Sequence, residues 1–195
     1  MSATNIGRWD RYYRGWEKSK VHPFGCETTY RLGYEWLKDC PLIEDWGAGY
    51  GFFSSLCVPG QYRGLDCSCT PHAAEQVDLV NYRSQVQGIF MRHVLEHQQG
   101  QEWRAVLANA LASFQQRMAL VIFTPFAEVT TQIRWDDECK NPTWSFRLED
   151  LTDLILSHQE HAEWQPIKYR LDRDIVTKTM FHVEHVFYLE KAWNV

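Results

Sequence analysis

The segment Leu42-Ile43-Glu44-Asp45-Trp46-Gly47-Ala48-Gly49-Tyr50-Gly51 restricts what this chain can fold into more than any other. A short apolar run closes on three glycines at alternate positions. Glycine lets a backbone turn sharply and approach a neighbour with no Cβ in the way. The flanking sequence supplies a sheet for such a turn to belong to. Strand-like runs at 42–46, 62–66, 76–82, 87–91 and 118–123 alternate with helical ones, and the last is the continuous apolar kind found in central parallel strands. Residues 102–116 have the strongest helical pattern, with Trp103, Val106, Leu107, Ala110, Leu111 and Phe114 on one face. Thr28-Thr29 starts a helix carrying Tyr30, Leu32, Gly33, Trp36 and Leu37, and residues 52–56 make a brief helical turn.

Beyond Pro125 the reading is irregular chain over 126–146, then a helix over 147–158 capped by Ser145. Two β-rich runs, 163–169 and 179–190, flank the charged stretch 170–174 and predict a hairpin. The fold class expected is α/β: a Rossmann-like doubly wound sheet, mostly parallel, with an antiparallel C-terminal hairpin and an N-terminal helical lid. A chain of 195 residues suits one such domain. Within it we expect a helical cap over 1–40, a cofactor-binding half over 41–125, and a substrate-side helix with the hairpin over 126–195.

Charge and cysteine content narrow the partners. Twenty basic against twenty-five acidic side chains lack the broad positive face that a phosphate backbone requires, so a long nucleic acid is not expected. No apolar run reaches the ~18–20 residues of a membrane span. Six cysteines without a CxxC pair read as reduced thiols of a cytoplasmic protein, and Cys67-Ser68-Cys69 with His72 lacks a second metal-ligand pair. Arg8, Arg11, Arg14, Lys18 and Lys20 interleave with Trp9, Tyr12, Tyr13 and Trp16 near the N-terminus. That pattern fits a solvated amphipathic helix, a substrate lid or an RNA arm.

Three acids fall at the ends of consecutive strands, where an open α/β sheet binds its ligands. Asp45 precedes the glycine turn. A dinucleotide fingerprint would need glycine at position 52, which is Phe52, and an acid here would repel a pyrophosphate. It suits a ligand with an ammonium group, such as the methionine portion of S-adenosylmethionine. Asp66, 21 residues further on, is placed to accept both hydrogens of a ribose diol. Asp78 follows at the third strand, within reach of an adenine amino group.

These residues resemble motif I of class I S-adenosylmethionine-dependent methyltransferases, and Gly64-Leu65-Asp66 looks like their second motif. Residues 89–97, ending His93-Val94-Leu95-Glu96-His97, resemble the segment after the fourth strand in the small-molecule branch. The resemblance implies a cofactor, S-adenosyl-L-methionine, with Gly47, Gly49 and Gly51 under the methionine moiety. It implies Asp66 on the ribose, Asp78 at the adenine, and Arg92 and His93 bordering the methyl-transfer pocket. Asp45, Ala48 and Cys67 complete the expected cofactor set. Only 12 residues separate Asp66 from Asp78, so the helix expected between those strands is short or missing.

His93 is the first candidate for a general base, with Glu96 and His97 behind it. The acceptor would be a small molecule taking the methyl on O or N, walled by Tyr12, Tyr13, Trp16, Trp135 and Trp144. The oligomeric state stays open. Two rivals share the fold, an inactive binding or scaffold protein and an NAD-dependent oxidoreductase. A third reading takes His93 to His97 as the H-x-x-E-H pattern of zinc proteases, which needs both histidines on one helix. His182 and His185 read as structural.

Overall fold

The computed structural model describes residues 9, 10, 13, 27–68, 75–136, 141–161, 167–179 and 181–191. Arg8, Arg11, Tyr12, Arg14, Trp16, Lys18, Lys20, Cys69, His72 and Cys139 lie outside them, as do the side chains of Trp135 and Asp136.

A helix α1 (Glu27–Leu37) is followed by strand β1 (Ile43–Trp46), a 3-10 turn (Phe52–Leu56), β2 (Tyr62–Asp66) and β3 (Glu75–Gln76). Then come β4 (Val86–Arg92), a second 3-10 turn (Leu95–His97), α2 (Glu102–Ser113) and β5 (Phe114–Ile122). The last part holds β6 (Thr131–Asp136), β7 (Asn141–Ser145), α3 (Leu148–His161), β8 (Ile167–Val176) and β9 (Val183–Lys191). Seven strands form one sheet in the order β3-β2-β1-β4-β5-β9-β8, and β6 and β7 form a separate pair. Strands β1 to β5 run parallel, β9 is antiparallel to β5, and β8 antiparallel to β9. The strand order reverses between β1 and β4.

Successive side chains of a strand point to opposite faces, and the core obeys this residue by residue. Met118, Leu120 and Ile122 of β5 join Phe187 and Leu189 of β9 on the face covered by α2 and α3. Ala119, Val121, Val186 and Tyr188 turn to the other face, under Leu37 of α1 and Phe53. Phe53 stacks on Phe90 with centroids 4.0 Å apart. Helix α1 sits so close that a Cβ on Gly33 would fall 2.4 Å from the Phe90 ring. The sheet is therefore wound on both sides.

Five boundaries differ from those the sequence predicts. The third strand stops at Gln76 rather than reaching Tyr82, because Asp78 folds the chain into a turn: its Oδ1 accepts from the Val80 N–H at 3.1 Å, and its backbone oxygen from Asn81 at 2.9 Å. Helix α2 ends at Ser113, and Phe114 opens β5 instead of closing the helix. Pairing with Val86 of β4 outweighs the local helical pattern. Residues 126–146 are not irregular throughout, since β6 and β7 pair antiparallel there, with Pro142 tolerated at an edge. Ser145 lies in β7 and donates to the Pro125 oxygen rather than capping α3; the N–H of Arg147 goes to Thr130 at 2.9 Å. The charged stretch 170–174 belongs to β8, the outermost strand, where exposed charges discourage further pairing. The hairpin turn falls between Val176 and Val183, with His182 at φ 56°.

No helix joins β3 to β4. Asn109 of α2 holds the connection instead: its amide donates to the oxygens of Leu79 at 3.0 Å and Val80 at 2.7 Å, and its own oxygen accepts from Arg83. Glu44, buried in β1, gathers Trp46, Arg63, Tyr82 and Ser84 below the same connection.

Candidate active site

A cleft opens beyond the carboxyl ends of β1 and β4, where the strand order reverses and such sheets take their ligands. Gly47, Asp66, Cys67, Leu79, His93, Val94, His97 and Gln98 line it, together with Trp9 and Tyr13.

The first wall is made largely of backbone. Gly47, Gly49 and Gly51 adopt φ of 82°, 51° and 67°, a left-handed region costly for any residue with a Cβ. At Gly47 a Cβ would meet Val94 at 2.4 Å, and at Gly49 the Tyr13 hydroxyl at 2.9 Å. The N–H groups of Gly47 and Ala48 both donate to Leu65, fixing the turn on β2. Asp66 completes the fit. Its Oδ2 accepts from the Gly49 N–H at 2.9 Å, and its Oδ1 from the Ser68 N–H and hydroxyl at 2.9 and 2.7 Å.

Burial pushes the Asp66 carboxyl up, and these bonds only partly offset it. Asp45 lies deeper, its Oδ2 accepting from the Tyr62 hydroxyl at 3.2 Å. Burial first, and the Asp66 charge after it, raise its carboxyl to about 7 against the pull of the Tyr62 bond. Cys67 stands beside Asp66. Burial and that carboxylate hold its thiol protonated, so it is no nucleophile. Asp78 keeps its carboxylate in its own turn, with Oδ2 accepting from Asn81 at 2.8 Å, and it is Leu79 that reaches the cleft.

The second wall follows β4. His93 takes φ 58°, a strained backbone for a residue other than glycine, of the kind that collects at functional sites. Its Nε2 lies 3.0 Å from Oε1 of Glu184, and its ring packs on Phe123. Arg92 points away from the cleft. Its Nη2 donates to the same Glu184 oxygen at 2.6 Å, its Nε to Thr29 at 3.2 Å, and its guanidinium covers the Tyr30 ring. The Thr29 hydroxyl donates to the other Glu184 oxygen. Glu184 and Thr29 are fully buried, and sequence reasoning missed both.

Burial and the Arg92 charge depress the His93 imidazole to about 3 despite Glu184. Burial works against ionisation of Glu184, but His93, Arg92 and Thr29 together hold its carboxyl below the usual range. We assign a neutral ring beside an ionised carboxylate, with Arg92 the charge that keeps it so.

Glu96 is fully buried, its Oε1 accepting from the Phe123 N–H at 2.7 Å, and burial raises it to about 8. His97 Nδ1 lies 3.1 Å from the Pro142 oxygen, which ties β7 to the rim, and Trp144 donates to the Gln98 oxygen at 2.9 Å. His93 and His97 thus serve different elements and share no helix. Among the described residues no group of three or more His, Cys, Asp or Glu side chains is arranged to hold a metal ion. His185 accepts from the Asp174 N–H and stacks on Phe126.

The sequence matches no protein-family model and no curated protein. The fold, however, has solved counterparts. The chain is similar to the 1,6-didemethyltoxoflavin-N1-methyltransferase of Burkholderia thailandensis, solved with 1,6-didemethyltoxoflavin and S-adenosylhomocysteine. The TM-score is 0.73 at 13% identity, over 96% of this chain and 88% of that one. Magnesium protoporphyrin IX methyltransferase of Synechocystis, with bound S-adenosylmethionine, gives 0.63 at 16% identity over 96% and 93%. The N-methyltransferase NodS of Bradyrhizobium japonicum, with S-adenosylhomocysteine, gives 0.64 at 11% over 97% and 100%. This chain has the Rossmann-like methyltransferase fold, and the likeness spans nearly its full length.

Proposed function

We propose that this protein transfers a methyl group from S-adenosylmethionine to an O or N atom of a small-molecule acceptor. The observation that carries the reading is the join between Gly49 and Asp66: a bare backbone turn and a buried carboxylate meet at the carboxyl edge of a parallel sheet. Asp66 lines the cleft and Asp45 lies behind it; burial raises both carboxyls, and each would gain by facing a cation. A sulfonium ligand with an ammonium group suits them. Gly47, Ala48, Gly49 and Gly51 would lie under its methionine portion, with Asp45 toward the ammonium. Asp66 and Cys67 would border the ribose, Leu79 and the Asp78 turn the adenine. Arg92 would act from behind the wall.

The bound cofactor would supply an activated methyl carbon, so the chain's task is chiefly to position the acceptor and exclude water. Trp9 and Tyr13 line the cleft and would help exclude water, and the Tyr50 hydroxyl donates to the Tyr13 oxygen at 3.3 Å. His93, neutral and facing the cleft, would take the acceptor's proton. A nicotinamide dinucleotide fits less well. Its pyrophosphate needs the amino end of a helix, and here only a five-residue 3-10 turn follows the glycines.

Isothermal titration with S-adenosylmethionine, S-adenosylhomocysteine and NAD tests the assignment. We expect both sulfur ligands to bind at micromolar concentration and NAD not to. Failure of both, or preference for NAD, sinks it. Measured binding with no methylation across phenol, heteroaryl N–H and amine acceptors would favour the inactive binding protein.

A further inference from the structure

We propose that Glu184 is a positioning residue that holds His93 as one tautomer, the proton on Nε2 and the basic lone pair on Nδ1. The inference rests on the methyltransferase reading and extends it to a residue 91 positions from the histidine.

The argument is one of donor and acceptor counting. An ionised carboxylate has lone pairs and no proton to give. Glu184 is kept ionised by Arg92 at 2.6 Å, within a site where Thr29 donates to its second oxygen. His93 Nε2 lies 3.0 Å from the oxygen that Arg92 also uses, so the ring must be the donor there. In a neutral imidazole one nitrogen donates and the other accepts, which leaves the lone pair on Nδ1.

Arg92 is clamped between the Tyr30 ring and the carboxylate, Phe123 packs on the imidazole, and β9 is a strand of the central sheet. The left-handed backbone at His93 is what turns the ring from the strand toward Glu184 while keeping it at the cleft. Among the described residues, Arg92 on β4, Glu184 on β9, and Glu96 and His97 on the 3-10 turn are charged or titratable groups around it.

A buried Arg–Glu pair with Thr29 on it would tie α1, β4 and β9 together and would not need the histidine. The shared oxygen gives the pair a second task. With cofactor and acceptor bound, Nδ1 would take the acceptor's O–H or N–H proton while the pair left on that O or N forms the bond to the methyl carbon and the pair of the carbon–sulfur bond leaves with sulfur. The imidazolium would keep its Nε2–H on Glu184, whose charge opposes the new one, and return the Nδ1 proton to water.

Nitrogen NMR of the 15N-histidine-labelled protein reads the tautomer directly, without cofactor or acceptor. We expect wild-type His93 to show Nε2 protonated and Nδ1 unprotonated from pH 5 to 8. A ring protonated on Nδ1 overturns the proposal, whatever the variants do. In Glu184→Gln, whose amide can donate as well as accept, we expect the ratio of the two tautomers to fall at least tenfold, and Glu184→Asp to restore part of it. A folded Glu184→Gln protein with an unchanged ratio also overturns it. If that variant does not fold, the wild-type and Glu184→Asp spectra decide: loss of the wild-type ratio in the aspartate variant supports the proposal and an identical ratio with its oxygen withdrawn refutes it. Titration of the same samples with S-adenosylhomocysteine keeps the two questions apart, because a protein that binds none of it fails as a methyltransferase while its tautomer is still measured.

Discussion

The two walls of the cleft are built by opposite means. The β1–β2 wall is backbone: three glycines, two N–H groups on Leu65, and one carboxylate that closes the turn onto the next strand. The β4–β9 wall is side chain: an arginine, a glutamate, a threonine and a histidine sharing two carboxylate oxygens. A backbone wall tolerates a ligand's approach and specifies it by shape. A charged wall is intolerant, because each member is buried only by virtue of the others. Side-chain substitutions in the first should therefore act on ligand binding, glycine substitutions there on the turn and on binding together, and those in the second on folding and proton chemistry.

The sharpest test of that contrast is Glu184→Leu, which leaves Arg92 buried without its counter-charge. A broken buried pair costs about 3–5 kcal/mol, and chemical denaturation should show that loss. A change under 1 kcal/mol would mean the second wall is not held by this pair. Next comes Gly47→Ala, where a left-handed backbone and a 2.4 Å approach to Val94 act together. We expect about 2–4 kcal/mol of destabilisation and loss of S-adenosylhomocysteine binding. Retained binding would show that the turn is not the ligand's seat. Asp66→Ala should weaken S-adenosylhomocysteine by roughly 10- to 100-fold, as expected for one or two charge-assisted hydrogen bonds, with the fold kept.

Two pH measurements follow, smaller in effect. Asp45 is raised to about 7, so its carboxylate forms only as pH climbs through that value. Affinity for S-adenosylmethionine should rise between pH 6 and 8, and Asp45→Asn should flatten the rise. Glu96 is raised to about 8 from an ordinary 4.5. The folded state then holds a proton that the unfolded chain has lost, so the stability it contributes is full below about 4.5 and lost as pH rises through about 8. Glu96→Gln should gain thermal stability relative to wild type across that window. A constant difference from pH 5 to 8 would remove Glu96 as a buried proton holder.

The same contrast decides how much could be read in advance. Residues 42–66 announce the first wall, because its parts lie within 25 residues and glycine spacing is a local signal. The parallel order, β5 and the terminal hairpin were legible for the same reason: apolar runs mark buried strands. The second wall was half hidden. His93 stood out, but Thr29 is one threonine near a helix start and Glu184 one glutamate in an aromatic strand. Only the sheet order, which sets β9 beside β5, brings them to it. Strand β3 was overread because Val77, Leu79 and Val80 look like strand, while the turn made by Asp78 depends on hydrogen bonds that an apolar pattern does not register. The β6–β7 pair was underread because Pro142 argues against a strand wherever it is not at an edge.

One more consequence follows from Asn109. The stretch bearing Leu79 is held by the Asn109 amide of α2, a helix packed on the far side from α1, and by Glu44 through Tyr82 and Ser84, and it has no helix of its own to stiffen it. A change that slackens the Asn109 tether would shift the shape of the cleft without altering a residue that lines it. The shape of the cleft is thus set in part from a helix that does not line it.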